Sequence, residues 1–318
     1  MIPDFFIASL TGDAPGMAVQ AWQGALFLAG VATLALLARA ELQKRRHASR
    51  PPEHSGAAQA AQGWDTDPAC GAITWPRGSQ GLKYFLRTVM ATLGTYFFVM
   101  VFLVPFTRGA GEVVRATLMT IAGQMAVLVV LLLFPLFQNP NPGFRYQAGG
   151  WRPPWFPHGL WHPLPAFAGG LALTSGVSLA QMFLDKVLAR HTGITLGLDK
   201  AQDVVMHIAN ARDNPAHLLA MGVSVVILAP LTEELFFRGI VYPFAKSRMG
   251  ALPGALLTGV IFGAIHASAT AFLPLAVFGV FLCLVYERTR DIRAVVLVHA
   301  LFNLNTFLLL LAGLPPNP

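Results

Sequence analysis

Long runs of apolar residues, separated by short polar stretches, dominate the chain. Uncharged runs of about 18 or more residues are long enough to cross a bilayer as α-helices. We expect eight such spans, at about residues 19–39, 84–106, 116–137, 164–188, 217–246, 252–268, 271–287 and 292–313. The pattern therefore predicts an all-α, polytopic membrane protein of about eight transmembrane helices.

The composition agrees with this interpretation. Of the 318 residues, 55% are hydrophobic and only 12% are charged, whereas soluble domains average roughly 25% charged residues. A soluble fold would have to leave much of this apolar surface uncovered. We therefore expect an integral, multi-pass membrane protein.

The basic residues flank the apolar runs and form no continuous patch, although the formal net charge is +7. They are typical of topology signals and of contacts to anionic lipid headgroups. The expected partner of this charge is the lipid bilayer, and no nucleic acid is expected. An arrangement with the N-terminus outside puts the three basic clusters on the cytoplasmic side: ELQKRRHASR after the first span, Lys246 with Arg248, and ERTRDIR.

The chain divides into four segments by composition. Residues 1–40 are predicted to be an N-terminal transmembrane anchor, because no basic residue precedes Arg39 and a cleaved signal peptide needs a positive start. Residues 41–82, rich in Ala, Gly, Gln and Pro, are predicted to be a cytoplasmic linker. Residues 83–200 hold further transmembrane helices and interfacial loops, and residues 201–318 contain the last four spans.

Ionisable and amide side chains concentrate in these last four spans. Such residues are costly within a membrane and usually face the bundle interior or a wet cavity, so they are candidate functional groups. The fifth span carries three of them, the sixth one and the eighth three: Glu233, Glu234, Arg238, His266, His299, Asn303 and Asn305. We expect Asn305 to be a hydrogen-bonding contact between helices.

Helical spacing separates the two adjacent carboxylates. Glu234 and Arg238 are four residues apart, so they share one helix face and can form a structural ion pair. Glu233 is turned by about 100° from Glu234 and is free to face other helices. Pro230 and Thr232, just before this pair, predict a kink whose freed backbone groups Thr232 helps to satisfy.

The rise along each predicted helix lets Glu233, His266, His299 and Asn303 share one layer of the membrane. A carboxylate beside an imidazole can hold and deprotonate a water, and a second imidazole with an amide can donate to an oxyanion. Alternatively, Glu233, His266 and His299 could ligate zinc or another divalent metal with one position open for water. Either arrangement suits hydrolysis of an acyl group, most naturally a peptide bond. The sequence contains no HExxH, GxSxG or GxGD motif.

Three motifs occur in order on these spans: EExxxR at 233–238, FxxxH at 262–266 and HxxxN at 299–303. Together they resemble the CPBP family of intramembrane proteases. That family includes the type II CaaX prenyl endopeptidases and the bacterial Abi proteins linked to bacteriocin self-immunity. The resemblance covers about residues 217–313, and it implies that residues 201–318 form a catalytic helical core with its chamber within the bilayer.

The resemblance also implies a role for each motif residue. Glu233 would activate water, and His266 would hold the same water. His299 and Asn303 would stabilise the oxyanion of the tetrahedral intermediate. The remaining motif residues would shape the site around them: Glu234, Arg238 and Phe262.

The expected substrate is a membrane-anchored or lipidated peptide or protein, and the expected location is a bacterial cytoplasmic membrane. Two other functions stay open at this point. A non-catalytic immunity or scaffolding module could retain the cluster for structure, and a transporter could use the carboxylates as a proton relay. The motifs do not distinguish a glutamate-dependent protease from a metalloprotease; we expect glutamate-dependent activation.

Overall fold

The computed structural model describes residues 25–36, 39, 78–138, 162–195 and 214–313. Every regular element within these ranges is a helix, and we number them α1 to α8 in chain order. Most of the predicted linker at 41–82 and most of the predicted loop at 138–163 lie outside the described residues. The helices are α1 Ala25–Leu36, α2 Gly78–Thr107, α3 Glu112–Gln138, α4 Pro163–Thr192, α5 Pro215–Met249, α6 Ala251–Ala264, α7 Ala269–Thr289 and α8 Ile292–Gly313.

Six of the described helices are long and apolar enough to cross a membrane, namely α2, α3, α4, α5, α7 and α8. The predicted all-α, polytopic architecture is confirmed, and the protein is a multi-pass integral membrane protein. The described part of α1 and the whole of α6 are shorter apolar helices. The expected count of eight spans therefore holds only approximately.

The sixth predicted span, at 252–268, is wrong at its C-terminal end. Helix α6 has 14 residues and stops at Ala264, so it rises only about 21 Å, less than the ~30 Å of a hydrocarbon core. Two turn residues, Ile265 and His266, follow. The chain then passes through Ala267, whose φ is 48°, to Ser268, whose hydroxyl accepts from the Ala271 N–H and caps α7.

The main hydrophobic core lies among α4, α5, α6, α7 and α8. Its fully buried centre is aromatic and aliphatic, as in a soluble core: Phe237, Phe262, Phe278, Leu282, Val285 and Val298. Helix α2 is the opposite case. Its large apolar side chains Phe97, Phe98, Phe102 and Phe106 are mostly exposed, as is expected of a helix whose outer face meets lipid.

Helices α6 and α7 approach each other closely because glycines line their contact. A Cβ placed on Gly259 would lie 2.5 Å from the Ala276 carbonyl oxygen, and one on Gly263 would lie 2.5 Å from the Phe272 carbonyl oxygen. Neither backbone oxygen can move aside alone. This tight hairpin fixes the turn after α6 in place.

The ends of α5 and α7 meet in a polar cluster. The Glu287 carboxylate accepts hydrogen bonds from the Tyr242 hydroxyl at 2.9 Å and from the Lys246 ammonium at 2.8 Å, and it pairs with Arg290 at 3.3 Å. These contacts bring Lys246 to the basic ERTRDIR segment. The two basic clusters that the sequence assigned to one side of the membrane therefore lie together.

Candidate active site

The two adjacent carboxylates lie on a short α-helical segment between two π-helical ones. Residues Ala229–Phe236 are α-helical, and Ser224–Leu228 before them and Phe237–Val241 after them are π-helical. A proline follows each π segment by two positions, Pro230 and Pro243. Proline has no N–H, and its ring clashes with the carbonyl four residues back, so the helix widens locally. Such π turns are frequent at functional sites.

Glu234 and Arg238 form the ion pair that their spacing predicted. The carboxylate Oε1 lies 2.9 Å from Arg238 Nη1, and both side chains are fully buried. Arg238 also donates from Nη2 to the Gly279 carbonyl oxygen of α7 at 2.7 Å, and its guanidinium lies 5.3 Å from the Phe262 ring centre. This network ties α5 to α6 and α7.

Glu234 has a second partner that the sequence analysis missed. Its Oε1 lies 2.8 Å from His299 Nδ1 of α8. Because a carboxylate accepts, His299 carries a hydrogen on Nδ1, and its Nε2 is available to the site. A signal for this contact existed, because one arginine leaves most of the acceptor positions of a buried carboxylate unsatisfied. His299 shares Oε1 with Arg238, and Oε2 of Glu234 has no hydrogen-bond partner among the described residues.

Glu233 points to the other nitrogen of the same imidazole. Its Oε2 lies 4.0 Å from His299 Nε2, and its side chain retains 25% of its exposure. Oε2 has no hydrogen-bond partner among the described residues. The separation is too long for a direct hydrogen bond, and a water could bridge the two atoms.

His266 lies in the turn after α6, not on a helix as the sequence analysis expected. Its Nδ1 lies 2.7 Å from the Phe262 carbonyl oxygen, so Nδ1 carries a hydrogen and Nε2 is an acceptor. The Phe262 ring contacts both histidines, with ring centres 5.0 Å from His266 and 5.7 Å from His299. Phe262 is thus the apolar wall that the two imidazoles share.

Asn303 lies one turn beyond His299 on α8, and its amide contacts α5. Its Nδ2 donates to the Val225 carbonyl oxygen at 2.8 Å. The nitrogen carries a second hydrogen, which remains for another acceptor. This contact was also missing from the sequence analysis, since backbone carbonyls freed by a π turn are not visible in a pattern of side chains.

Helices outside the motif segment also contact these elements. Gln124 Oε1 of α3 accepts a hydrogen bond from the Ser224 hydroxyl at 2.9 Å. On α4, Gln181 Nε2 lies 3.4 Å from the Thr270 carbonyl oxygen at the start of α7. A Cβ on Gly170 of α4 would lie 3.1 Å from the Phe278 ring, which in turn contacts His299 at 5.6 Å between ring centres.

A divalent metal was an open expectation for Glu233, His266 and His299. The donor types fit, because each imidazole has Nδ1 engaged and Nε2 available, as is usual for ligating histidines. In the described part of the chain, however, no group of three His, Cys, Asp or Glu side chains is arranged so that it could hold a metal ion. We derive no chemical step through a metal.

These features define a class: a multi-pass membrane protein with a carboxylate–imidazole cluster among its helices. Comparison with known proteins is consistent with that class. The family model described as "Type II CAAX prenyl endopeptidase Rce1-like" matches residues 215–305, the segment that contains all three motifs. The resemblance inferred from the motifs is confirmed for this segment.

One curated relative is "Putative membrane peptidase YdiL" of Bacillus subtilis (strain 168). It is 29% identical over 77 residues, which make up 24% of this chain and 32% of the relative. The chain thus spans about a third of the length of that relative. No solved structure matches the chain.

Proposed function

We propose that the protein is an intramembrane endopeptidase that uses Glu233 to activate water. The observation that carries the proposal is the 4.0 Å separation between His299 Nε2 and Glu233 Oε2. Both residues lie in the segment that the family model matches. The neighbouring Glu234 fixes the imidazole by its opposite nitrogen. This combination exceeds what helix packing needs.

The first step is attack by water. The Glu233 carboxylate takes a proton from a water that the His266 Nε2 also holds, and the water oxygen forms a bond to the carbonyl carbon of the substrate. His266 is suited to accept from that water because its Nδ1–H is engaged by the Phe262 carbonyl. The substrate C=O becomes a tetrahedral oxyanion.

The second step is stabilisation and collapse of that intermediate. His299 Nε2, when protonated, and the second N–H of Asn303 donate to the oxyanion. Glu234 supports a positive charge on His299 from the Nδ1 side, as a carboxylate does in an acid–histidine pair. The C–N bond then breaks, and Glu233 returns its proton to the leaving amine.

The position of the site restricts the substrate. Glu233 precedes Lys246 by thirteen residues, or roughly 20 Å along a helix, and Lys246 lies in the polar cluster at the end of α5. A peptide bond must therefore enter the bilayer to reach Glu233. We propose a membrane-anchored or lipidated protein as substrate, and a bacterial cytoplasmic membrane as the location.

The test compares protein termini in membranes from cells with the wild type, Glu233→Ala or Glu112→Ala. Glu112 is an exposed carboxylate at the start of α3, so its removal is a matched control. We expect a set of new N-termini, at or near membrane segments, that is present with the wild type and the control and absent with Glu233→Ala. His266→Ala and His299→Ala should lose the same set. Identical termini in all strains would exclude the mechanism.

Further measurements test a non-catalytic function and a metal-dependent mechanism. A non-catalytic immunity or scaffolding module predicts that the cellular phenotype survives Glu233→Gln. A zinc-dependent form of the hydrolase predicts metal in the purified protein, measured by mass spectrometry, and activity that is lost on chelation and restored by zinc. Glutamate-dependent activation predicts cleavage that is insensitive to chelators.

A further inference from the structure

The carbonyl of Val225 is excluded from the hydrogen-bond ladder of its own helix. Its usual α-helical donor would be the Ala229 N–H, but that group donates to the Ser224 carbonyl, five residues back. The next N–H along the chain would belong to residue 230. Residue 230 is proline, which has no N–H.

An unsatisfied carbonyl is costly in a membrane interior, where water is scarce and each orphan group must find a partner. The partner of Val225 comes from another helix. Asn303 Nδ2 of α8 donates to its oxygen at 2.8 Å, a short bond for an amide nitrogen and a carbonyl oxygen. The bond also defines the amide rotamer, because the nitrogen, not the oxygen, must face a carbonyl.

A second bond joins the same two helices, one turn away along α8. His299, four residues before Asn303, binds Glu234 at 2.8 Å. Two points of α8 are therefore fixed to two points of α5: one, Val225, precedes the α-helical segment Ala229–Phe236, and the other, Glu234, lies within it beside Glu233. Removal of either bond would let that segment rotate or slide relative to the imidazole.

We propose that Pro230 and Asn303 form one positioning unit of the site. Pro230 leaves the Val225 carbonyl without a helix donor, and the Asn303 amide binds it. This bond orients the amide and holds the carboxylate-bearing segment of α5 against α8. The effect of the unit on catalysis rests on the proposed function, whereas its effect on stability does not.

A thermal double-mutant cycle tests the unit in the full-length protein in detergent. Its members are the wild type, Pro230→Ala, Asn303→Leu and the double variant. Asn303→Leu alone should lower the melting temperature by several degrees, because it leaves the Val225 carbonyl without a hydrogen-bond donor. Alanine at 230 restores an N–H. Asn303→Leu should therefore lower the melting temperature by less than half as much in the Pro230→Ala background as in the wild type. An equal cost in both backgrounds would overturn the proposal.

Two further variants keep the test decisive if Pro230→Ala does not fold. Asn303→Ala removes every donor and should melt as low as Asn303→Leu, whereas Asn303→Gln retains the N–H donors and should melt higher than both. A wild-type melting temperature for Asn303→Ala would exclude a role of the Asn303–Val225 bond in stability. As a control, Asn305→Leu removes another amide of α8, and its cost should be the same with Pro230 or Ala at position 230.

The kinetic arm uses a substrate from the comparison of termini. Pro230→Ala and Asn303→Leu should each lower kcat by about tenfold or more, because misplacement of about 1 Å is enough for such a loss. The double variant should lose no more than Asn303→Leu alone. That change removes both the Val225 bond and the proposed oxyanion donor, whereas Pro230→Ala acts only by supplying a competing donor to the Val225 carbonyl. Fully multiplicative losses would contradict the unit. If the proposed function is wrong, cleavage survives Glu233→Ala. That result leaves the outcome of the thermal cycle unchanged, so the two failures can be told apart.

Discussion

Glu233 and Glu234 are neighbours in sequence but lie in different environments. Glu234 is fully buried, and its Oε1 accepts from Arg238 and His299. Glu233 keeps a quarter of its exposure. Oε2 of each carboxylate has no partner among the described residues, so the two differ in exposure and in the Arg238 and His299 bonds of Glu234. A carboxylate that holds a network is costly to remove, whereas a partly exposed one outside that network is available for chemistry.

This difference predicts opposite effects for two matched substitutions. Glu234→Gln replaces one acceptor oxygen by a donor and disrupts a buried charge pair, which costs about 3–5 kcal/mol when one partner is lost. Glu233→Gln should leave the fold intact while it lowers cleavage by about 10²-fold or more. Thermal unfolding of both variants in detergent measures the first effect. Equal melting temperatures for the two variants would contradict this division of roles.

Spacing within one helix predicted the Glu234–Arg238 pair because the partners share a helix face. It could not predict the bond from Glu234 to His299, which joins residues 65 positions apart. That contact depends on the rotation of α8 relative to α5. The sequence gives no such rotation, because apolar side chains can face lipid or core equally well.

At the level of elements, α5 differs most from its predicted form. The sequence predicted one kink at Pro230, with Thr232 as the group that satisfies the freed backbone. The Thr232 hydroxyl instead donates to the carbonyls of Leu228 and Ala229, at 2.8 and 3.0 Å. The freed carbonyl of Val225 is bound by Asn303. Pro243, which repeats the arrangement one π segment later, was a signal that the sequence analysis did not use.

The hairpin of α6 and α7 predicts a sharp sensitivity at Gly263. Alanine there would place a Cβ 2.5 Å from the Phe272 carbonyl oxygen, so the helices must separate, and His266 three residues later must shift. We expect Gly263→Ala to lower the melting temperature and to reduce the cleavage rate by about tenfold or more.

Gly94 supplies the control for this substitution. It also lies within a helix, α2, but a Cβ there has no heavy atom within 4 Å. Gly94→Ala should therefore be neutral or slightly stabilising, by up to about 1 kcal/mol from helix propensity. A stable and active Gly263→Ala variant would show that the turn tolerates movement of the hairpin.

For the whole molecule, the helices before residue 214 take part in the architecture around the site. Gln124 of α3 binds Ser224 in the first π segment, and Gly170 of α4 lets the backbone approach Phe278. The sequence predicted these helices as spans but assigned them no role. Hydropathy predicts that a segment crosses the membrane, but it does not predict which helices that segment contacts. Contacts between helices in lipid depend on packing and hydrogen bonds, which hydropathy does not describe.

The orientation of the whole chain determines from which side a substrate reaches Glu233. Basic residues crowd the end where α5 and α7 meet, beside the Glu287 cluster, and the positive-inside tendency places that end in the cytoplasm. The turn between α2 and α3, at residues 108–111, must then lie outside. We expect this orientation because α3, α4 and α5 are each long and apolar enough to cross the membrane once, and three crossings separate this turn from the cytoplasmic end of α5.

Cysteine labelling tests this topology in a background in which Cys70 and Cys283 are replaced by alanine. A membrane-impermeant maleimide should label Gly111→Cys on intact spheroplasts, because Gly111 is exposed with open space around it. Arg248→Cys and Arg288→Cys should react only after permeabilisation. The reverse labelling pattern would indicate the opposite orientation of the protein. The end that the basic residues occupy would then face outward, and the substrate would approach Glu233 from outside across that end.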